Sequence, residues 1–233
     1  SQYGPPSAKL TNGNIVTVWM QETYSGRTAG GVYFKITDTA GTQVVAPTLV
    51  STSTTSYAAL AMMGVVALTG GGFAVAWVGT SAYVYRAMYD NAGVQTSAPA
   101  NTTTAVYTTY PGFNMTATTN GGFAVAYWNG SSNIRLNTFS SANALLQSLD
   151  TGTSAGINQN YVQMGLAARQ NGAVHEVYII NWTSGGQFRT QTFNVVTGAG
   201  IYNNYISTGS TAAGCSASLN TTDNSFIIAY LNG

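Results

Sequence analysis

Charged side chains are scarce in this chain: they make up 6% of 233 residues, against about 25% in an ordinary soluble domain. Seven Lys and Arg stand against six Asp and Glu, a net charge of +1. So sparse a set supplies neither the basic stripe that neutralises a nucleic-acid backbone nor the patch that holds an anionic membrane. A single cysteine, Cys215, excludes an intramolecular disulfide framework and a Cys-based zinc site. In the context Ala212-Ala213-Gly214-Cys215 it reads as a small packed residue and not as a nucleophile. The one histidine, His175, has no cysteine partner for a transition metal, and no metal is expected. No Gly-x-Ser-x-Gly elbow, phosphate loop or dinucleotide fingerprint occurs, so no cofactor is expected either. The longest near-apolar run, residues 58–68, is 11 residues long where a membrane-spanning helix needs about 20. Membrane insertion is therefore not expected.

What the chain does contain is 45% apolar residues, enough for a sizeable core, with 33 Thr, 20 Asn, 27 Gly and 15 Tyr. Its surface must then be built mostly from hydroxyls, amides and aromatic edges. The sequence also repeats itself. Thr69-Gly70-Gly71-Gly72-Phe73-Ala74-Val75-Ala76-Trp77 returns as Thr119-Asn120-Gly121-Gly122-Phe123-Ala124-Val125-Ala126-Tyr127, and more loosely as Thr11-Asn12-Gly13-Asn14-Ile15-Val16-Thr17-Val18-Trp19. Weaker copies follow at Asn171-Gly172-Ala173-Val174 and at Asp223-Asn224-Ser225-Phe226. With the residue after the turn as marker, Ile15, Phe73, Phe123, Ala173 and Phe226 are spaced by 58, 50, 50 and 53. A period near 50 without a helical pattern points to propeller blades.

Each unit reads as four short strands. In the second, residues 62–68 lead through the Gly70-Gly71-Gly72 turn to 73–78, then 82–89, then a polar outer strand at 94–103. Phe73, Val75 and Trp77 share one face, with the small Ala74 and Ala76 on the other. The expectation is an all-β chain: a β-propeller-like array of four-stranded antiparallel blades forming a single repeat domain over 1–233. Its repeats run about 7–56, 57–106, 107–156 and 157–207, with a partial fifth at 208–233. The fifth stops after its second strand, and only six residues precede the first. The chain is thus expected to be part of a longer one, or to be completed by a second chain in a homo-oligomer. A closed four-blade ring with an extra hairpin is the competing expectation, and an open β-sandwich the third.

No catalytic constellation is evident. Asp38 and Asp90 open equivalent Asp-x-Ala-Gly turns and Asp223 opens another, where a carboxylate caps backbone N–H groups. Glu22, Asp150 and Glu176 remain as the acids from which a polysaccharide hydrolase would have to be built. His175 and Glu176 are adjacent on one strand and so point to opposite faces. Four of the seven basic residues, Lys35, Arg86, Arg135 and Arg189, lie on third strands. The turns align Arg135 with Arg189, and Tyr33 and Tyr85 as their equivalents. They read either as donors lining a surface or as cations stacked on aromatics.

Aromatics are the stronger lead, because Tyr and Trp offer a flat apolar face and a polar edge to a sugar ring. Among residues that read as loops, the candidate ligand-binding set is Tyr110, Trp128, Asn129, Asn133, Trp182, Tyr202 and Tyr205, with Asn203 and Asn204 alongside. Trp19 and Trp77 alternate inward and read as core.

The pattern Asn120-Gly121-Gly122-Phe123-Ala124-Val125-Ala126-Tyr127, with Val84-Tyr85-Arg86 and Tyr89-Asp90-Asn91-Ala92-Gly93, resembles the repeats of large bacterial secreted surface proteins and adhesins. It is also similar to the low-charge repeats of phage tail and virion appendage proteins. The resemblance implies an extracellular, cell-surface or virion-exposed propeller that displays loops for attachment. It departs from calcium-binding relatives in its near lack of acids. The expected function is non-enzymatic binding of a surface glycan or host receptor. A structural subunit of a virion, filament or surface layer, meeting neighbouring subunits, is the alternative, and a hydrolase the least favoured.

Overall fold

A strand such as Phe-Ala-Val-Ala-Trp-Val has no polar side, so it can exist only where both of its faces are covered. The computed structural model describes residues 5–23, 28–52, 62–106, 112–130, 133–154, 157–158, 161–162, 164–183, 187–207 and 214–231. The chain divides into two units, Ser1–Thr108 and Thr109–Gly233. The first holds two sheets: β1 (Ser7–Lys9), β2 (Ile15–Thr23), β3 (Thr28–Thr37) and β4 (Gln43–Ser51), then β5 (Met63–Ala67), β6 (Phe73–Val78), β7 (Tyr83–Tyr89) and β8 (Gln95–Ala105). The second unit holds β9 (Phe113–Ala117), β10 (Phe123–Trp128), β11 (Asn133–Phe139) and β12 (Leu145–Ser154). A two-residue pair follows, β13 (Ile157–Asn158) with β14 (Tyr161–Val162). Then come β15 (Met164–Asn171), β16 (Val174–Trp182), β17 (Gln187–Asn194) and β18 (Gly200–Ser207), and a last hairpin, β19 (Gly214–Asn220) with β20 (Ser225–Leu231). In each four-stranded sheet, spatial order follows chain order and every pair is antiparallel. This is the all-β architecture of four complete four-stranded sheets and a partial fifth that the repeat predicts.

The second strand of each sheet explains the packing. All six residues of β6 and all six of β10 are buried. In the first unit Phe73, Val75 and Trp77 pack on Val16, Val18, Val32, Phe34 and Ile36 of the preceding sheet. Phe34 meets Phe73 edge-on at 5.1 Å. In the second unit the small side of β10, Ala124 and Ala126, receives Leu166, Val177 and Ile179 of the following sheet. Bulky residues on one face and alanines on the other let successive sheets interdigitate.

The hairpins are set by local chemistry. Gly72 has φ +78°, and a Cβ there would overlap the Tyr89 carbonyl oxygen. A Cβ on Gly122 would overlap the Phe139 carbonyl in the same way. Between third and fourth strands, Asp38 Oδ1 accepts from the N–H groups of Ala40 and Thr42 at 2.9 and 2.8 Å. Asp90 does the same for Ala92 and Val94, both at 2.9 Å, and Ser140 Oγ takes that place in the third sheet. These acids are turn caps.

One spacing differs from the sequence reading. Val177, not Ala173, occupies the place of Phe73 and Phe123, since it pairs with Phe193 as they pair with Tyr89 and Phe139. The first hairpin of the fourth sheet is longer, closing tightly between the paired Asn171 and Val174, with Gly172 at φ +58°. The marker residue therefore slid four places along a longer ribbon.

Gly122→Ala should destabilise the protein by roughly 3 kcal/mol, whereas Gly13→Ala, with nothing within 4 Å of its Cβ but φ +91°, should cost only about 1 kcal/mol. Urea unfolding of the two variants checks this ordering.

Candidate functional site

Pairing in register gives four third-strand residues the equivalent rung of their own sheets: Tyr33, Tyr85, Arg135 and Arg189. In the first unit that rung is aromatic. Tyr33 stacks on Trp19 at 6.0 Å and Tyr85 on Trp77 at 5.9 Å. In the second unit the aromatic is replaced by arginine, opposite Tyr127 in one sheet and Asn181 in the next.

Arg189 is the centre of a cluster of polar groups. Its Nε donates to Asn203 Oδ1 at 2.9 Å, and its guanidinium carbon lies 5.4 Å from the ring centroid of Tyr205, its cross-strand partner. Its Nη1 donates to the Gly152 carbonyl at 2.9 Å, on β12 of the preceding sheet. Gln191 reaches the same strand, donating to Thr151 O at 3.0 Å. Gly152 is presented by Asp150, whose Oδ1 accepts from its N–H at 2.9 Å; the φ of +63° at this turn suits glycine. Asp150 Oδ2 accepts from Asn133 Nδ2 at 2.9 Å and lies 3.7 Å from Arg135 Nη1. The result is a continuous polar line, Asn133–Asp150–Gly152–Arg189–Asn203, flanked by Tyr205. Tyr205 is 50% exposed. The line offers amide and guanidinium donors beside an aromatic face, with no acid other than Asp150 taking part.

Of the aromatics and amides chosen from sequence, Asn133 and Tyr205 join this line. Tyr202 does not. It stands three residues away on the same strand, hence on the opposite face, where its hydroxyl accepts from Asn204 Nδ2 at 2.9 Å. Trp128 is a correction: it ends β10, 5% exposed, packed with Ile134, Leu136 and Met164, because it holds the place of Val78 in the repeat, the last residue of an all-buried strand. Asn129 follows it, half-buried, its N–H donating to Asn133 O at 3.3 Å across the turn. Trp182 also belongs to a strand, pairing with Phe188 at the end of β16. Tyr110 lies outside the described residues. Arg189 and Asn203 are legible in the sequence, whereas the Gly152 carbonyl is signalled there only by its Asp-x-Gly turn.

Among the described side chains, Glu176 and Asp150 do not converge. Glu176 is 2% exposed and accepts from Arg169 Nε at 2.6 Å and Asn171 Nδ2 at 3.1 Å. It precedes Asn181, the rung of Arg189, by five residues, roughly 17 Å along a strand. Asp150 stands at that rung in the neighbouring sheet, so the two are too far apart to flank a glycosidic bond. His175, on the face opposite Glu176, has Nδ1 2.8 Å from the Thr119 hydroxyl, which donates to Arg169 O. Glu22 has a described backbone only. Cys215 is packed against the preceding sheet, and burial pushes its thiol up to about 12. Among the described residues no group of three His, Cys, Asp or Glu could hold a metal ion.

No family model matches the chain, and no curated protein matches it. Among solved structures it is similar to the SapL1 lectin in complex with alpha methyl fucoside, with a TM-score of 0.58 and 10% identity, over 100% of this chain and 74% of that one. It is similar to a triple arginine-to-alanine mutant of AofleA from Arthrobotrys oligospora, with a TM-score of 0.61 and 12% identity, over 99% and 66%. A third likeness is to BBS1N in complex with ARL6DN, with a TM-score of 0.52 and 13% identity, over 90% and 55%. At such identities these likenesses establish the fold, which is of the β-propeller class. This chain spans about two thirds of the AofleA structure and about half of the BBS1N structure.

Glu176→Ala should lower stability by about 2 kcal/mol, because Arg169 Nε and Asn171 Nδ2 lose their charged acceptor; thermal unfolding against wild type checks it. Native Cys215 should resist iodoacetamide at pH 8, since almost none of it is thiolate, and react readily once urea unfolds the chain. Native labelling as fast as that of a free thiol would contradict the burial.

Proposed function

We propose that this chain is a non-enzymatic carbohydrate-recognition module, part of a cell-surface or virion-exposed protein, that binds neutral sugars along the Arg189 line. The observation that carries this reading is the meeting of Arg189 on the third strand, and Asn203 and half-exposed Tyr205 on the outer strand, of one sheet with the Gly152 carbonyl on the outer strand of the sheet before it. A sugar presents hydroxyls to guanidinium and amide donors and a C–H face to an aromatic ring. The polar line offers all three within one patch. A nearly uncharged surface keeps non-specific ionic contacts few, so recognition rests on hydrogen bonds and stacking. The likeness to a lectin holding a fucoside supports the class of ligand. The AofleA mutant lacks three arginines set at a constant spacing, and Arg135 and Arg189 recur at one rung here.

The test is a broad glycan array with wild type, Arg189→Ala, Tyr205→Ala and Tyr202→Ala. Specific binding should fall at least about tenfold in the first two and persist in Tyr202→Ala, whose ring faces the other way. Raising the salt concentration should change it little. A blank array from folded protein, or binding indifferent to both Arg189 and Tyr205, would overturn the reading.

A further inference from the structure

The polar line is longer than one sugar ring. It begins on β11 with Asn133, crosses β12 at Asp150 and Gly152, passes to Arg189 on β17 and ends on β18 with Asn203 and Tyr205. Neighbouring strands lie about 4.8 Å apart and packed sheets about 10 Å apart, so four strands of two sheets reach well past a single pyranose. The whole line lies within the second unit.

A bulge shapes its middle. Between the pairs Arg135–Asp150 and Asn133–Ser154, β12 advances four residues while β11 advances two. The surplus falls on Thr151, Gly152 and Thr153. Successive carbonyls of a regular strand point to opposite edges, but here those of Thr151 and Gly152 both accept from side chains of β17, Gln191 and Arg189. Those two bonds hold Arg189 in line with Asp150.

The two ends of the line offer different chemistry. At the Tyr205 end, Asn203 Oδ1 and the Gly152 carbonyl already accept from Arg189, so a ligand there meets chiefly donors and an aromatic face. The ionised acceptor stands at the other end. Asp150 is 40% exposed; its Oδ1 takes the Gly152 N–H and its Oδ2 takes Asn133 Nδ2, and each oxygen has a second lone-pair direction. A sugar hydroxyl both donates and accepts, and only a ligand that continues past the first ring finds this carboxylate. These bonds exist before any ligand arrives, which keeps the ordering cost of binding low.

We propose that the line binds a linear stretch of a neutral oligosaccharide and not a single terminal sugar. One ring lies against the exposed part of Tyr205 beside Arg189 and Asn203, and the chain continues to Asp150, whose carboxylate accepts a hydroxyl of a later ring. Asp150 is then the residue that sets the preference for a chain over a monosaccharide. This inference rests on the sugar reading above and adds the size of the ligand and the role of Asp150.

The experiment is calorimetric titration of the full chain with methyl glycosides of neutral hexoses, pentoses and fucose, and with linear di-, tri- and tetrasaccharides of the same sugars. In wild type a tri- or tetrasaccharide should bind at least about tenfold more tightly than the methyl glycoside of its own sugar. In Asp150→Asn, which keeps an oxygen for the Gly152 N–H, that ratio should fall toward one. Asn133→Ala, which removes the amide that orients Asp150, should lower it as well, with melting temperatures showing that each variant is folded. Equal affinity of wild type for chain and glycoside would overturn this inference and leave the sugar reading standing. A wild-type ratio in a folded Asp150→Asn or Asn133→Ala protein would overturn it too. Absence of binding by any of these sugars to folded wild type would overturn the sugar reading and this inference with it.

Discussion

Burial of the second strand on both faces is the constraint from which the rest of this structure follows. A sheet whose β6 or β10 strand has no polar side cannot be stable alone, because its apolar faces would remain in water at about 25 cal/mol per Å². Within each unit a sheet must therefore lean on its neighbour. Alternation of bulky and small residues across that strand makes the leaning directional, with Phe73, Val75 and Trp77 toward one neighbour and Ala124 and Ala126 accepting side chains from the other. Stability in such an array is a sum of contacts between successive sheets and not the property of any one repeat.

The polar line is a product of that same stacking. Arg189 can reach Gly152 only because the third strand of one sheet lies beside the outer strand of its predecessor, and Gln191 with Thr151 fastens the two strands at a second point. A fixed rung thus carries two chemistries. Where the second-strand residue is Trp19, which is only partly buried and not core as the sequence suggests, or the fully buried Trp77, the rung is closed by a stacked tyrosine. Where it is Tyr127 or Asn181 the rung holds an arginine that turns to its neighbours.

The fold was largely legible in the sequence because its signals are local. Gly71-Gly72 and Gly121-Gly122 mark turns that only glycine closes, Asp38 and Asp90 mark the next turns, and alternation marks the strands between them. The site was legible only in part, since it depends on pairing and on contact between sheets. Trp128 precedes Asn129-Gly130, a turn signal, and so read as loop although it ends a buried strand. Tyr202 and Tyr205 read as companions because they are close in sequence, but a spacing of three on a strand sends them to opposite faces. The equivalence of Arg135 and Arg189 was visible because turns fix register. The Gly152 carbonyl was not, because a backbone group leaves no trace in composition.

The rung that holds Tyr33, Tyr85, Arg135 and Arg189 separates what the array needs for folding from what it shows to its surroundings. Its residues sit at the rim of the packed strands, where an aromatic and a cation are both tolerated. A replacement there rewrites one stretch of surface and leaves the framework of turns and cores as it was. An array built this way can change its surface chemistry one sheet at a time, at the equivalent place in each sheet.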